Sequence, residues 1–309
     1  MRNLANVLDI EIVTYCIMSN HTHILLGVPD KETLPILTEE EWLERLPAIY
    51  DANKMTEIRQ QLQRAREQAS TPELAEQQVA KILGKLEARR GDVSNFMKEL
   101  NQRISIYINK RNNRKGTLWQ EPFDSVLVEG NEGVLLAMAV YIDLNPVRAG
   151  MVDKPEDYRF CGYAEALSGN RLAKQGLGSV LSEAIIDDSF KSDWRRTHNR
   201  YRLFLYTEGE AIQPDPATGN RGRKGFSEEK VEAVVNEDGA MPIAEALLHR
   251  VRYFTEGAVI GTSAFIEEVF QQNRSRLGPN RRTGARRMRG ADWGNLRTLR
   301  DLRTNVIGP

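Results

Sequence analysis

Two of the chain's four histidines, His21 and His23, stand two residues apart in Met18-Ser19-Asn20-His21-Thr22-His23-Ile24-Leu25-Leu26. In an extended strand that spacing puts both rings on one face. Neutral imidazoles bind divalent metals, and a pair converging from one strand leaves room for a third protein ligand and open positions. The same spacing also suits an ordinary cross-strand polar pair. Far downstream, Tyr141 and Asn145 lie four apart in the apolar run Leu135-Leu136-Ala137-Met138-Ala139-Val140-Tyr141-Ile142-Asp143-Leu144-Asn145, an interval that shares one helix face. A phenol is a poor nucleophile at neutral pH until its proton is removed or a cation polarises the phosphate it attacks. His21, His23 and the amide oxygen of Asn145 would form a set for Mg²⁺ or Mn²⁺, with the imidazoles favouring Mn²⁺. A tyrosine in such a run is otherwise a core residue with its hydroxyl at the rim.

The elements that must position these residues follow from patterning. Met1–Leu8 reads as the end of a helix. Ile10–Met18 is β-branched and apolar and reads as a strand; Ser19-Asn20 is a turn, and His21–Val28 a second, antiparallel strand closed by Pro29-Asp30. Residues 31–90, rich in Glu, Gln, Lys, Arg, Ala and Leu with helical spacing broken near Ser70-Thr71-Pro72, read as a solvated helical insertion. Asp92 or Ser94 caps an amphipathic helix through Asn109, with Phe96, Leu100, Ile104, Tyr107 and Ile108 as its apolar stripe. An extended segment Thr117–Val128 leads to a helix Glu132–Leu144 that stops before Asn145-Pro146. Beyond Gly150 the signals thin: 168–224 is a connecting region with a linker at Pro214–Lys224. Segments at Ser227–Val235, Ile243–Arg252 and Gly261–Gln271 read as a helical C-terminal region, compatible with a small helix-turn-helix-like arrangement.

The chain of 309 residues has 43 basic and 43 acidic side chains and a formal net charge of zero. The balance hides an asymmetry. From Gln272 to Pro309 ten arginines face only Asp292 and Asp301, and Arg281, Arg282, Arg286 and Arg287 among glycines read as a flexible phosphate-binding arm. A second basic stretch, with Arg103, Lys110, Arg111, Arg114 and Lys115, carries no acid between Leu100 and Gly116. Cys16 and Cys161 are too few for a zinc cluster or a disulfide framework and fit a reducing compartment. No run approaches the ~20 apolar residues of a spanning helix, and there is no signal pattern, so a cytoplasmic location is expected. His198 and His249 have no other candidate ligand near them in sequence and read as surface or structural.

Three motifs together resemble the single-tyrosine HUH transposases, and among them the REP-associated tyrosine transposases of bacteria. They are Met18-Ser19-Asn20-His21-Thr22-His23 with its apolar continuation, Gly116-Thr117-Leu118-Trp119-Gln120, and Tyr141-Ile142-Asp143-Leu144-Asn145-Pro146-Val147-Arg148-Ala149-Gly150. The last is the most specific. The resemblance covers about Met1–Leu167, including Pro155-Glu156-Asp157-Tyr158. It implies an α+β fold with a ferredoxin-like core, the histidines on a central strand and the tyrosine on a facing helix. It also implies DNA transesterification: tyrosine attacks a backbone phosphate of single-stranded DNA beside a hairpin, leaving a 5′-phosphotyrosine and a 3′-hydroxyl. Carried over, His21 and His23 are metal ligands, Tyr141 the nucleophile, Asn145 the polar amide one turn later, and Arg148 a DNA contact. Expected partners are single-stranded or hairpin DNA at the nucleoid, with no membrane, and the active unit is either a monomer or a homodimer.

The chain departs from that pattern at its start. Family members open with a strand and a full helix before the strand at Ile10–Met18, whereas here only the tail of the helix stands, at Arg2–Leu8. Either Met1 is an internal start of a longer gene, the reading favoured by the intact motifs, or the chain is a decayed copy. Two other functional readings stand beside the transposase: a domesticated protein that binds hairpin DNA without cutting it, and a phosphodiesterase that uses a metal and water without the tyrosine.

Overall fold

The computed structural model describes residues 1–181, 190–206, 241–247, 249–302 and 306–308. The fold is mixed α+β, about 54% helical with small sheets. The expected helix at Ser227–Val235 and linker at Pro214–Lys224 lie outside the described residues. No described helix is long and apolar enough to cross a membrane.

The chain divides into two compact units, one of Met1–Ile12 with Leu26–Phe123, the other of Val13–Leu25 with Asp124–Pro309. The first is helical: α1 (Arg2–Val7), α2 (Glu39–Arg45), α3 (Ala52–Glu67), α4 (Pro72–Glu87) and α5 (Val93–Arg111). Each long helix starts on a side-chain cap: Thr38 forms a reciprocal capping box with Glu41, and Asp51, Thr71 and Asp92 accept from backbone N–H groups at the starts of α3, α4 and α5. The break between α3 and α4 falls at the expected Ser70-Thr71-Pro72. Residues 31–90 have a core of their own, in which Trp42, Leu46, Met55 and Leu62 pack with Val7. Trp42 Nε1 donates to Glu87 at 2.8 Å, and the buried Arg90 donates to Asp9 (2.5 Å), Glu87 (2.8 Å) and the Pro35 carbonyl (2.7 Å). The segment expected to be a solvated insertion is thus tied to the N-terminal helix.

The second unit centres on α6 (Glu132–Asp143), buried all round from Leu136 to Asp143, as its uninterrupted apolar run requires. Against it lie the ends of the hairpin β1 (Glu11–Ile17) and β2 (Thr22–Gly27), a two-stranded sheet. The Met18 N–H closes the hairpin on the His21 carbonyl at 2.8 Å. Gly162 packs so closely on β1 that a Cβ there would lie 2.2 Å from Thr14 Oγ1. Helices α7 (Asn145–Arg148), α8 (Gly162–Leu167), α9 (Arg171–Val180) and α10 (Phe190–Tyr206) follow.

The region expected to be helical at the C-terminus is mixed. Ile243–Ala246 is helical but Arg250–Val251 is a strand, and of the expected Gly261–Gln271 helix Ser263–Gln272 forms. A four-stranded sheet joins Leu127–Val128, Val259–Gly261, Arg297–Thr298 and Arg286–Arg287 in that order, the first pair parallel and the others antiparallel. The arginine-rich tail is therefore not a flexible arm. Met288, Trp293, Leu296, Leu299, Leu302, Val306 and Ile307, interleaved with the arginines, are all buried, and their burial folds the segment.

Candidate active site

Three residues singled out by sequence meet in the second unit. His21 and His23 stand edge to face, with ring centroids 4.9 Å apart. The Tyr141 ring lies 6.2 Å from that of His23. The guanidinium of Arg148 sits over the phenol ring, its carbon 4.0 Å from the ring centroid. Arg148 is held there by two carbonyls, donating from Nη2 to Tyr141 at 2.7 Å and from Nη1 to Leu247 at 2.6 Å. Phe254 completes the enclosure, its ring centroid 4.9 Å from that of Tyr141, and the tyrosine is 2% exposed.

Local chemistry explains why the tyrosine helix breaks where it does. Pro146 has no N–H to give the Ile142 carbonyl, which would otherwise accept it four residues back. Asn145 Nδ2 replaces that donor, bonding to Ile142 at 3.1 Å and to Tyr141 at 3.2 Å. Asn145 thus has a structural role in the helix. With its nitrogen engaged, its oxygen is the atom suited to a metal or a further donor.

Both histidines are biased toward the neutral form. Burial lowers the pKa of His21, and the nearby guanidinium groups of Arg250 and Arg148 lower it further. His23 is pushed down to about 4, by burial first, then by His21, Arg148 and Arg250. His21 Nδ1 lies 2.7 Å from Asn20 Oδ1; donating to that oxygen fixes the tautomer and leaves the Nε2 lone pair for a ligand. Neutral imidazole nitrogens and an amide oxygen are donor types that a divalent cation such as Mn²⁺ accepts, but only the two histidines are brought together here, with ring centroids 4.9 Å apart. Among the described residues, no group of three or more His, Cys, Asp or Glu converges as a metal site.

Beneath the site Asp143, fully buried, accepts from the Tyr201 hydroxyl (2.6 Å), Thr14 Oγ1 (2.9 Å) and the Tyr163 N–H (3.4 Å). Burial raises its pKa to about 7 against the opposing pull of these three donors. His198 stacks between Tyr163 and Trp194 and lies 3.1 Å from the Tyr163 hydroxyl, and His249 is buried.

The cations expected to contact DNA fall into two groups. Arg103 is engaged inside the first unit, donating to the Ile49 carbonyl at 2.8 Å and covering the Tyr50 ring, while Lys110, Arg111, Arg114 and Lys115 are exposed at and beyond the end of α5. In the second unit Arg281 is structural: it donates to the carbonyls of Thr283, Gly284 and Leu299 and covers Phe270. Arg282, Arg286 and Arg287 are exposed. Sequence reasoning missed Leu247, Arg250 and Phe254, which belong to the site only through folding and carry no local motif. Compared with protein-family models, with curated proteins and with solved structures, the chain matches none.

Proposed function

We propose that the chain nicks single-stranded DNA and transfers the cut strand, with Tyr141 as nucleophile, in the manner of the single-tyrosine HUH transposases. In this reading the β1–β2 hairpin and α6 correspond to the histidine strand and tyrosine helix of a ferredoxin-like core. The observation that supports it best is a phenol that lies 6.2 Å from the His23 ring, itself paired with His21, and carries a fixed guanidinium 4.0 Å from its own centroid. The Tyr141 oxygen attacks phosphorus, the P–O3′ bond breaks, and the proton lost by the phenol passes to the departing 3′-oxygen, directly or through water. Because the phosphotyrosine conserves the energy of the broken ester, the reverse attack by a 3′-hydroxyl needs no nucleotide cofactor. Arg148 orients the phenol and offsets negative charge developing on it and on the phosphate. His21, His23 and the Asn145 amide oxygen would hold Mg²⁺ or Mn²⁺, which when bound polarises the scissile phosphate. A cytoplasmic, nucleoid-associated location and a homodimer belong to the same proposal.

The burial of Tyr141 favours one alternative, a protein that binds hairpin DNA and does not cut it. Cleavage of a labelled hairpin-bearing single strand separates the two. The enzyme is expected to leave a 3′-end that a polymerase extends; an intact strand contradicts it.

A further inference from the structure

Residues 155–161 place an aromatic and a cation at the tip of a tight turn beside the hairpin. The turn is closed by the Cys161 N–H on the Tyr158 carbonyl at 3.2 Å. It is fastened to β1 at three points: the Ile17 N–H donates to the Phe160 carbonyl at 2.9 Å, the Tyr158 hydroxyl to the Ile17 carbonyl at 2.7 Å, and Cys16 pairs with Cys161 in an antiparallel bridge. Met18 turns its N–H toward His21 and Ile17 turns its own toward Phe160. Successive N–H groups of a strand point to opposite edges, so the turn lies along the edge of β1 opposite the histidine strand, two strand spacings or about 10 Å from it.

The fastening costs Phe160 its shelter. Phe160 is 48% exposed and Ile17 39%. Tyr158 meets the Phe160 ring edge to face with centroids 5.9 Å apart, and the Arg159 guanidinium lies over it at 5.0 Å. An exposed aromatic side chain on a backbone fixed by hydrogen bonds and paired with a cation is an arrangement on which unpaired nucleobases stack, the cation meeting the phosphate. A hydrophobic partner protein would not need the arginine, and duplex DNA offers no unstacked base face.

We infer that Tyr158, Arg159 and Phe160 form a stacking platform for an unpaired base of single-stranded DNA flanking the bond addressed by Tyr141. The inference rests on the proposed function and names where its substrate is held. It is tested with the full chain and a fluorescein-labelled, mixed-sequence single-stranded oligonucleotide, followed by anisotropy across a salt series. Phe160→Ala should weaken binding about tenfold or more with an unchanged salt slope, and Arg159→Ala should lower the slope by about 0.7. Phe160→Trp should bind as tightly as the parent, with an added tryptophan emission that the oligonucleotide quenches. Parent affinity in Phe160→Ala and no quenching in Phe160→Trp, with Tyr141 adduct formation intact, would overturn the platform and leave the proposed function standing. Failure of the parent chain both to bind the oligonucleotide and to form an adduct would overturn the two together.

Discussion

Arg148 touches Tyr141 twice, covering its ring at 4.0 Å and bonding to its carbonyl at 2.7 Å, and through Leu247 it ties the tyrosine helix to a segment a hundred residues later. One side chain thereby holds the candidate nucleophile's helix and supplies a fixed positive charge against its ring. Sequence placed Arg148 among general DNA contacts; the structure gives it a position beside the phenol.

Replacing Arg148 removes two charge-assisted hydrogen bonds and a stacked cation. Arg148→Ala should destabilise the fold by about 2–4 kcal/mol, read as a lower urea midpoint at unchanged slope. Arg148→Lys keeps the charge but cannot bridge both carbonyls. It should recover part of that stability while forming adduct at least tenfold more slowly than the parent. An equal rate would show that the bidentate hold is dispensable.

Asp143 makes stability depend on pH. Its folded pKa, about 7, lies above the ordinary carboxylate value because burial disfavours its charge. The folded state therefore holds a proton that the unfolded chain has released between about pH 4 and 7, and this contribution falls as pH rises through that window, by up to about 4 kcal/mol. Asp143→Asn, neutral throughout, should flatten the fall. Thermal melts of both proteins from pH 4.5 to 8 check the sign; a parent that gains stability over this range because of Asp143 would contradict it.

His23 should bind metal without a competing proton at neutral pH, since burial and neighbouring cations hold its pKa at about 4. Mn²⁺ affinity, followed by the loss of the free-ion electron paramagnetic resonance signal, should owe none of its change between pH 8 and 6 to His23, so that His21→Ala binds with the same affinity at both ends of that range. His23→Ala should weaken it at least tenfold, and Asn145→Ala by a smaller factor. Unchanged affinity in both variants would remove the metal from the site.

The exposed arginines of the tail should act on DNA and the engaged one on stability. Changing Arg282, Arg286 and Arg287 together to glutamine should reduce the salt slope of single-strand binding by about 2 with little change in melting temperature. Arg281→Ala should lower the melting temperature, because its guanidinium bonds three backbone carbonyls. Truncating the whole tail would unfold rather than inform, since it would remove Trp293 and Leu296 from the core.

What was legible in the sequence was local. The strand–turn–strand around His21, the cap at Asp92 and the helix break at Asn145-Pro146 each follow from neighbouring residues, and each stands in the structure. Tyr107 misled, because helical spacing put it on the apolar stripe of α5 whereas it is 62% exposed there. The tail misled because its arginines outnumber its acids, while the signal that folds it is an apolar residue every few positions between Met288 and Ile307. Phe254 and Arg250 were illegible: only tertiary packing brings Val251–Phe254 onto α6, and nothing nearby in sequence marks them as partners of Tyr141.

The most direct test of the account is the covalent adduct. Purified chain is incubated with Mn²⁺ and a labelled single-stranded DNA bearing a hairpin, resolved on a denaturing gel, and the labelled band digested to map the modified residue. The account predicts a protein-sized labelled band, a modified peptide containing Tyr141, and loss of the band in Tyr141→Phe. Cleavage without an adduct, or an adduct that persists in Tyr141→Phe, would contradict it.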